Sequence, residues 1–200
     1  MRACHTKVCA TRRAFLNELF VYASAFPYKA KLIETKQGNT LILSKLPGIP
    51  YLDADVLSEI IMSKLAQAIG KFHSIQHLGD MVLCHWDNQP RNILWSAEKQ
   101  KVWLVDFEDI RLAHPEGDIA HLFLFWAEVL DFASFKKDTC LFLSKYKAVV
   151  PLDYLRWKAE YRKAKARFDR RRKKYNKRSE FDNPDRNDNR KYLASGAMLK

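Results

Sequence analysis

The sequence predicts an α+β fold, on three observations. Residues 29–46 hold two short apolar runs around Gln37-Gly38-Asn39, the pattern of a β-hairpin. Two more short apolar runs, 81–83 and 101–105, flank a polar loop. The second half is dominated by apolar residues at helical spacing, which predicts long helices.

The elements follow in order. Phe15, Leu16, Leu19, Phe20 and Ala23 recur every three or four residues, so 12–25 is expected as a helix. The runs 29–35 and 40–46 form the hairpin, and Pro47-Gly48-Ile49-Pro50 breaks the chain after it. A helix is expected over about 55–76, with Leu57, Ile60, Ile61, Leu65, Ala68, Ile69 and Phe72 on its apolar side. Residues 122–135 predict a buried helix and 135–147 another. Residues 152–178 predict one long helix with a stripe of Trp157, Tyr161, Ala164, Phe168 and Tyr175. Residues 181–200 are polar, and a disordered tail is expected there.

Composition narrows the function classes. The chain has 200 residues with 48 % hydrophobic content, enough for a real core, which excludes wholesale disorder. The greasiest run, 122–135, is interrupted by Glu128 and Asp131, so no membrane span is expected. The N-terminus lacks the apolar core of a signal peptide, so the four cysteines are expected as free thiols in a reducing cytoplasm. Cys84 and Cys140 lie in apolar runs and are expected in the core.

The net charge of +12 is concentrated. Residues 156–178 carry 13 Lys/Arg against Glu160 and Asp169. This basic arm is either a solvated helix face or a surface for nucleic acid, anionic lipid or an acidic partner.

One loop carries a recognisable chemistry. Residues 85–92 read His85-Trp86-Asp87-Asn88-Gln89-Pro90-Arg91-Asn92, and Asp106-Phe107-Glu108 follows fourteen residues after Asn92 on the strand Val102-Trp103-Leu104-Val105. An Asp on a rigid loop can accept the proton of an attacking hydroxyl, and an amide oxygen and a carboxylate can hold magnesium against a triphosphate. Asp87 is the candidate base, and Asn92 and Asp106 are the candidate metal ligands.

These motifs resemble the catalytic pair of the protein-kinase-like superfamily. Glu108 in place of Gly, Pro90 in the loop and Gly117-Asp118-Ile119-Ala120-His121-Leu122 resemble its aminoglycoside/choline phosphotransferase branch, with a lipopolysaccharide-kinase-like relative also in view. Leu46-Pro47-Gly48 resembles the hinge that contacts adenine, and 66–75 resembles the family's L-x-x-L-H-S helix end. The resemblance covers roughly residues 12–135.

It implies a mostly helical large lobe, a reduced small lobe of one helix and a hairpin, and a long basic C-terminal helix. It divides the chain into a small lobe (1–46), a catalytic lobe (47–155), a basic arm (156–180) and the tail (181–200). It implies ATP and Mg2+ as cofactors. The reaction implied is transfer of the γ-phosphoryl group to a hydroxyl of a small molecule or sugar. Glu18 takes the place of the small-lobe helix glutamate that pairs with the ATP-binding lysine, and Lys7 is the upstream lysine available to it. Asp118 and His85 take bracing roles.

The match fails at one point. No glycine precedes Gly38, so the phosphate-covering glycine-rich loop is missing from the sequence. A truncated kinase, a degenerate relative and a minimal kinase are all compatible with this, and weak or absent activity is expected. The alternative function is a non-catalytic kinase scaffold that binds nucleic acid or an acidic partner through the arm. Trp86 is a further departure, since the branch often has Gly after the His. It would either wall off the acceptor pocket or fill core space.

Overall fold

The computed structural model describes residues 4–54, 59–174 and 183–199. Strand β1 (Cys4–Val8) is followed by helix α1 (Arg12–Ala23), and the hairpin is β2 (Leu32–Lys36) and β3 (Thr40–Ser44). The three strands form one antiparallel sheet in the order β1-β3-β2. The three-residue turn Gln37-Gly38-Asn39 works because Gly38 and Asn39 both take positive φ, 71° and 56°, a conformation that glycine and asparagine reach more readily than other residues. The small lobe is therefore larger than the helix and hairpin expected. Cys4 to Val8 pairs residue by residue with Ser44 to Thr40, so backbone bonds rather than apolar side chains recruit this strand.

Beyond β4 (Ile49–Pro50) the chain enters the larger lobe through α2 (Glu59–His73). The helix start expected near residue 55 lies outside the described residues. Two small antiparallel sheets follow. One has β5 (His77–Leu78), β6 (Met81–Cys84) and β9 (Arg111–Ala113), in the order β5-β6-β9. The other has β4, β7 (Ile93–Ser96) and β8 (Lys101–Leu104), in the order β4-β7-β8. Gly48 enters β4 at φ +119°, and a Cβ there would lie 2.5 Å from the Trp95 carbonyl oxygen. Gly48→Ala is thus expected to cost about 2–4 kcal/mol in denaturant unfolding, from strain plus clash; a midpoint equal to wild type would contradict this close approach.

Helices α3 (Pro115–Val129), α4 (Phe132–Tyr146), α5 (Tyr154–Lys174) and α6 (Arg186–Ser195) complete the lobe. The apolar run expected as one helix over 122–135 is split. Asp131 accepts a hydrogen bond from the Ser134 amide and starts α4 anew, because an N-cap carboxylate satisfies amides that a continuous helix would not leave free. The core lies between α2, α3, α4 and α5, with Phe72, Phe123, Trp126, Phe142 and Trp157 fully buried.

The stripe on α5 is buried: Trp157, Tyr161, Ala164 and Phe168 are all at most 4 % exposed. Tyr175 lies outside the described residues. The segment expected as a separate arm is therefore packed into the large lobe along α3. Bases cannot stack on Trp157, Tyr161 and Phe168, which are already covered, so a nucleic-acid contact of this helix would rest on its charge.

The tail expected to be disordered is also ordered over its described part. Asn183 and Asn189 each donate to the Leu130 carbonyl at 2.8 Å, satisfying an acceptor at the end of α3. Buried Glu128 gathers the guanidiniums of Arg172, Arg186 and Arg190, and Leu193 is fully buried. Cys84 is buried as expected, but Cys140 is exposed, on the outer face of α4. All four cysteines are free thiols. Among the described residues no helix is long and apolar enough to cross a membrane.

Candidate active site

The site lies where the Asp87 loop, the Asp106 turn and β1 converge. Its floor is set by packing. Phe107 is fully buried, stacked on Phe72 of α2 at 5.5 Å and edge-on to Tyr22 of α1 at 5.3 Å. This anchors the residues on either side of it, Asp106 and Glu108, at the mouth of the cleft. Asp106 takes φ +66°, a left-handed turn that Asp tolerates better than bulkier residues.

Lys7 and Glu18 meet as the resemblance implied. Lys7 Nζ lies 2.5 Å from Glu18 Oε1, 2.6 Å from Asp106 Oδ1 and 3.4 Å from Glu108 Oε1. Burial works to lower the Lys7 ammonium, but the charges of Glu18 and Asp106 outweigh it and raise it. Burial pushes the Glu18 carboxyl up to about 7, against the pull of Lys7. Oxygens of Glu18, Asp106 and Glu108 fall within 4.8 Å of one another. Asn92 directs Nδ2 to the Asp87 carbonyl (3.0 Å) and to Asp87 Oδ2 (3.3 Å), which leaves its Oδ1 for a cation. Carboxylate oxygens such as those of Asp106 and Glu108, and an amide oxygen such as Asn92 Oδ1, are the donor types a hard divalent ion such as magnesium takes.

The Asp87 loop is braced from beneath by Asp118 on α3. The buried Asp118 carboxylate accepts from the His85 amide (2.9 Å), the Trp86 amide (2.8 Å) and His73 Nε2 (3.0 Å). Burial alone would raise this carboxyl, but the hydrogen bond and charge of His73, with the His85 charge and the Trp86 amide, hold it well below the usual carboxylate range. His85 Nε2 reaches the Val105 carbonyl at 3.0 Å, tying the loop to the strand that delivers Asp106. The Val105 amide returns a bond to the Asn92 carbonyl at 3.0 Å.

Trp86 takes φ +68°, which accounts for the glycine common at this position in the branch it resembles. Its ring lies between two guanidiniums, Arg167 at 3.9 Å and Arg111 at 4.5 Å. It therefore anchors α5 to the loop.

Two cavities flank Asp106 and Asp87. The first, of about 640 Å³, opens between the lobes and is lined by Lys7, Leu43, Leu46, Leu94, Val105 and Asp106. Leu46 thus stands in the cleft with Lys7. The second, of about 260 Å³, lies between the Asp87 loop and α5, against Phe125, His121 and Phe168. Arg171 reaches from α5 to bond Asp87 Oδ1, and its Nη2 lies 2.8 Å from Asp109 Oδ2.

The structure brings Lys7, Glu18 and Asp106 together at the interlobe cleft and Asp87 with Asn92 on the loop beside the second cavity, with His85 and Asp118 bracing that loop. Sequence reasoning missed His73, Asp109 and Arg171, and left Glu108 between a second magnesium contact and a cap of the following segment. His73 falls inside the helix end that resembles the family motif, and its spacing to Leu65 and Phe72 was available. Arg171 lies 84 positions from Asp87, and nothing local marks it.

Burial holds the His121 imidazole well below its ordinary range, and the Arg167 charge pushes the same way. Below about pH 6.5 the unfolded chain takes a proton that the native one refuses, so stability falls as pH is lowered. Its slope reaches at most about 1.4 kcal/mol per pH unit. His121→Phe keeps the edge contacts with Phe125 and Phe168. Thermal melts of both proteins at pH 7 and 5.5 should show a smaller drop in the variant, and equal drops would contradict the assignment.

Residues 76–136 match the model of the phosphotransferase enzyme family. A search of curated proteins finds no match. Among solved structures, an aminoglycoside phosphotransferase from Streptomyces rimosus, in complex with ADP and streptomycin, matches with a TM-score of 0.63 and 16 % identity, over 80 % of this chain and 85 % of that one. The choline kinase LicA from Streptococcus pneumoniae matches at 0.61 and 14 % identity, over 98 % and 85 %. A Plasmodium vivax ethanolamine kinase matches at 0.56 and 14 % identity, over 76 % and 62 %. The chain has the protein-kinase-like fold of these phosphotransferases, and its segment from 76 to 136 is similar to the phosphotransferase enzyme family.

Proposed function

We propose that the protein is an ATP-dependent phosphotransferase that moves the γ-phosphoryl group to a hydroxyl of a small molecule. The observation that carries this reading is Lys7, held by Glu18 and Asp106 in the cleft between the lobes, with the Asp87–Asn92 loop tied to the strand that delivers Asp106. A lysine whose charge is secured by two carboxylates is a fixed donor for phosphate oxygens. Leu43, Leu46 and Leu94 give the cleft an apolar wall suited to a flat base.

Each residue has a task. Asp87 accepts the proton of the attacking hydroxyl, with its Oδ2 fixed by Gln89 (2.7 Å) and Asn92. Lys7 binds and orients the phosphates, and Glu18 orients Lys7. Asn92 and Asp106 hold magnesium, with Glu108 beside them. Magnesium, when bound, offsets the charge that builds up on the phosphate oxygens. Asp118 and His85 keep the loop in register with the Asp106 turn.

The test is ADP release from ATP by the purified chain, with and without magnesium. Magnesium-dependent release that is lost in Lys7→Ala is the expected result. Release unaffected by Lys7→Ala would contradict the proposal.

A further inference from the structure

We infer that the acceptor is an anionic hydroxyl compound, a small polyol or sugar bearing a phosphate or carboxylate, which binds in the cavity between the Asp87 loop and α5. This rests on the phosphotransferase reading above and assigns its second substrate.

The cavity's charge is one-sided. Arg91, Arg171 and Arg172 line it, and Asp87 is the single carboxylate among its lining residues. His121, also in the wall, is held neutral by burial. Phe125 and Phe168 meet edge to face at 4.9 Å and give an apolar surface for the C–H face of a sugar ring. The volume of about 260 Å³ equals about nine liquid waters, room for one ring with a substituent.

The arginines keep capacity to bind. Arg172 lies 3.4 Å from Glu128, but that carboxylate is shared with Arg186 and Arg190, and Arg190 also draws on Asp169 at 3.3 Å. Arg91 is exposed and has no carboxylate partner among the described residues. It lines both the interlobe cleft and this cavity, so it stands at the border between the two substrates.

Arg171 gives the anion a further role. It occupies Asp87 Oδ1, the oxygen left over after Gln89 and Asn92 have engaged Oδ2. An arriving anion offers Arg171 a new charged partner and releases Oδ1 to the acceptor hydroxyl. A cationic acceptor does the reverse: it competes with Arg171 for Asp87 and faces three guanidiniums. In the reaction, the acceptor oxygen bonds to the γ-phosphorus as the bond to the β–γ bridging oxygen breaks. ADP leaves, and the hydroxyl proton passes to Asp87.

The test is calorimetric titration of the full chain, with and without Mg-ADP, using glucose 6-phosphate, gluconate, glucose and choline as probes. Glucose 6-phosphate or gluconate should bind at least tenfold more tightly than glucose or choline, and which of the two binds distinguishes phosphate from carboxylate recognition. That binding should weaken as salt is raised. Arg172→Gln should weaken it about tenfold or more, the usual loss for one charge-assisted hydrogen bond, and Arg172→Lys should recover part of it. If Arg172→Gln does not fold, the probe ranking and salt dependence of the wild-type chain decide alone. Choline binding as tightly as either anion, or no anion binding at all, would overturn the inference. Failure to bind Mg-ADP would count against the phosphotransferase reading separately, because the nucleotide-free titration still reads the cavity.

Discussion

Asp87→Ala should lower ADP formation by about 10²–10⁴-fold while Mg-ATP still binds. This is the usual contribution of a positioned general base. The size follows from how firmly the carboxylate is held: Gln89 and Asn92 fix Oδ2, and the amides on the N-terminal side of the loop are fixed by Asp118. Asp87→Asn should behave alike, since an amide keeps the shape but takes no proton. Both variants also remove the charged partner of Arg171, whose remaining carboxylate contact is Asp109. Arg171 is half-exposed, so the stability change should be small beside the loss of rate. A rate within threefold of wild type would show that the proton goes elsewhere.

Asp118→Ala should be the most destabilising single change at the site, by about 3–5 kcal/mol, the range for breaking a buried charged network. The substitution leaves the amides of His85 and Trp86 and the ring of His73 without their acceptor, in a place water does not reach. The free carboxyl's affinity for protons in the unfolded chain adds a pH signature. The Asp118 carboxyl is depressed in the folded state, so its contribution is complete above the ordinary carboxylate range. It is lost as pH falls through the depressed value. The gap between wild type and Asp118→Ala should therefore begin to narrow below about pH 4 and be smaller at pH 3 than at pH 7. Urea unfolding at pH 7 and pH 3 measures both effects, and a loss under 1 kcal/mol at neutral pH would mean the loop is held by something else.

Much of the architecture was legible because the pattern and the structure obey the same periods. The stripe of α5 marks a buried face, and so do Ile61, Leu65, Ala68, Ile69 and Phe72 of α2, whereas Ile60 of the expected face is exposed and Leu57 lies outside the described residues. The Asp87–Asn92 loop and the Asp106 turn were legible as a motif of fixed residue types at fixed spacing, and the structure ties the two together through His85 and Val105.

What escaped had no local signal. Strand β1 is mostly exposed and is recruited by backbone pairing with β3, so its composition carries no strand period. The segment 183–199 looks like solvated chain, yet its asparagines serve as caps for α3 carbonyls and its arginines as partners for Glu128. The break at Asp131 is a single N-cap within an apolar run. The charge of 156–178 was counted correctly but its destination was not: Arg167 packs on Trp86, Arg171 on Asp87 and Asp109, and Arg172 on Glu128. Such pairings join residues some forty to eighty positions apart, which only the fold brings together.

The most direct measurement is calorimetric binding of Mg-ATP to the wild-type chain and to Asp106→Ala. The account predicts binding by wild type that needs magnesium and is lost in the variant, because Asp106 secures Lys7 and, on the proposed reading, would hold the ion. Binding that is indifferent to magnesium and to Asp106, or no binding in either protein, would contradict the claim that this cleft is a nucleotide site.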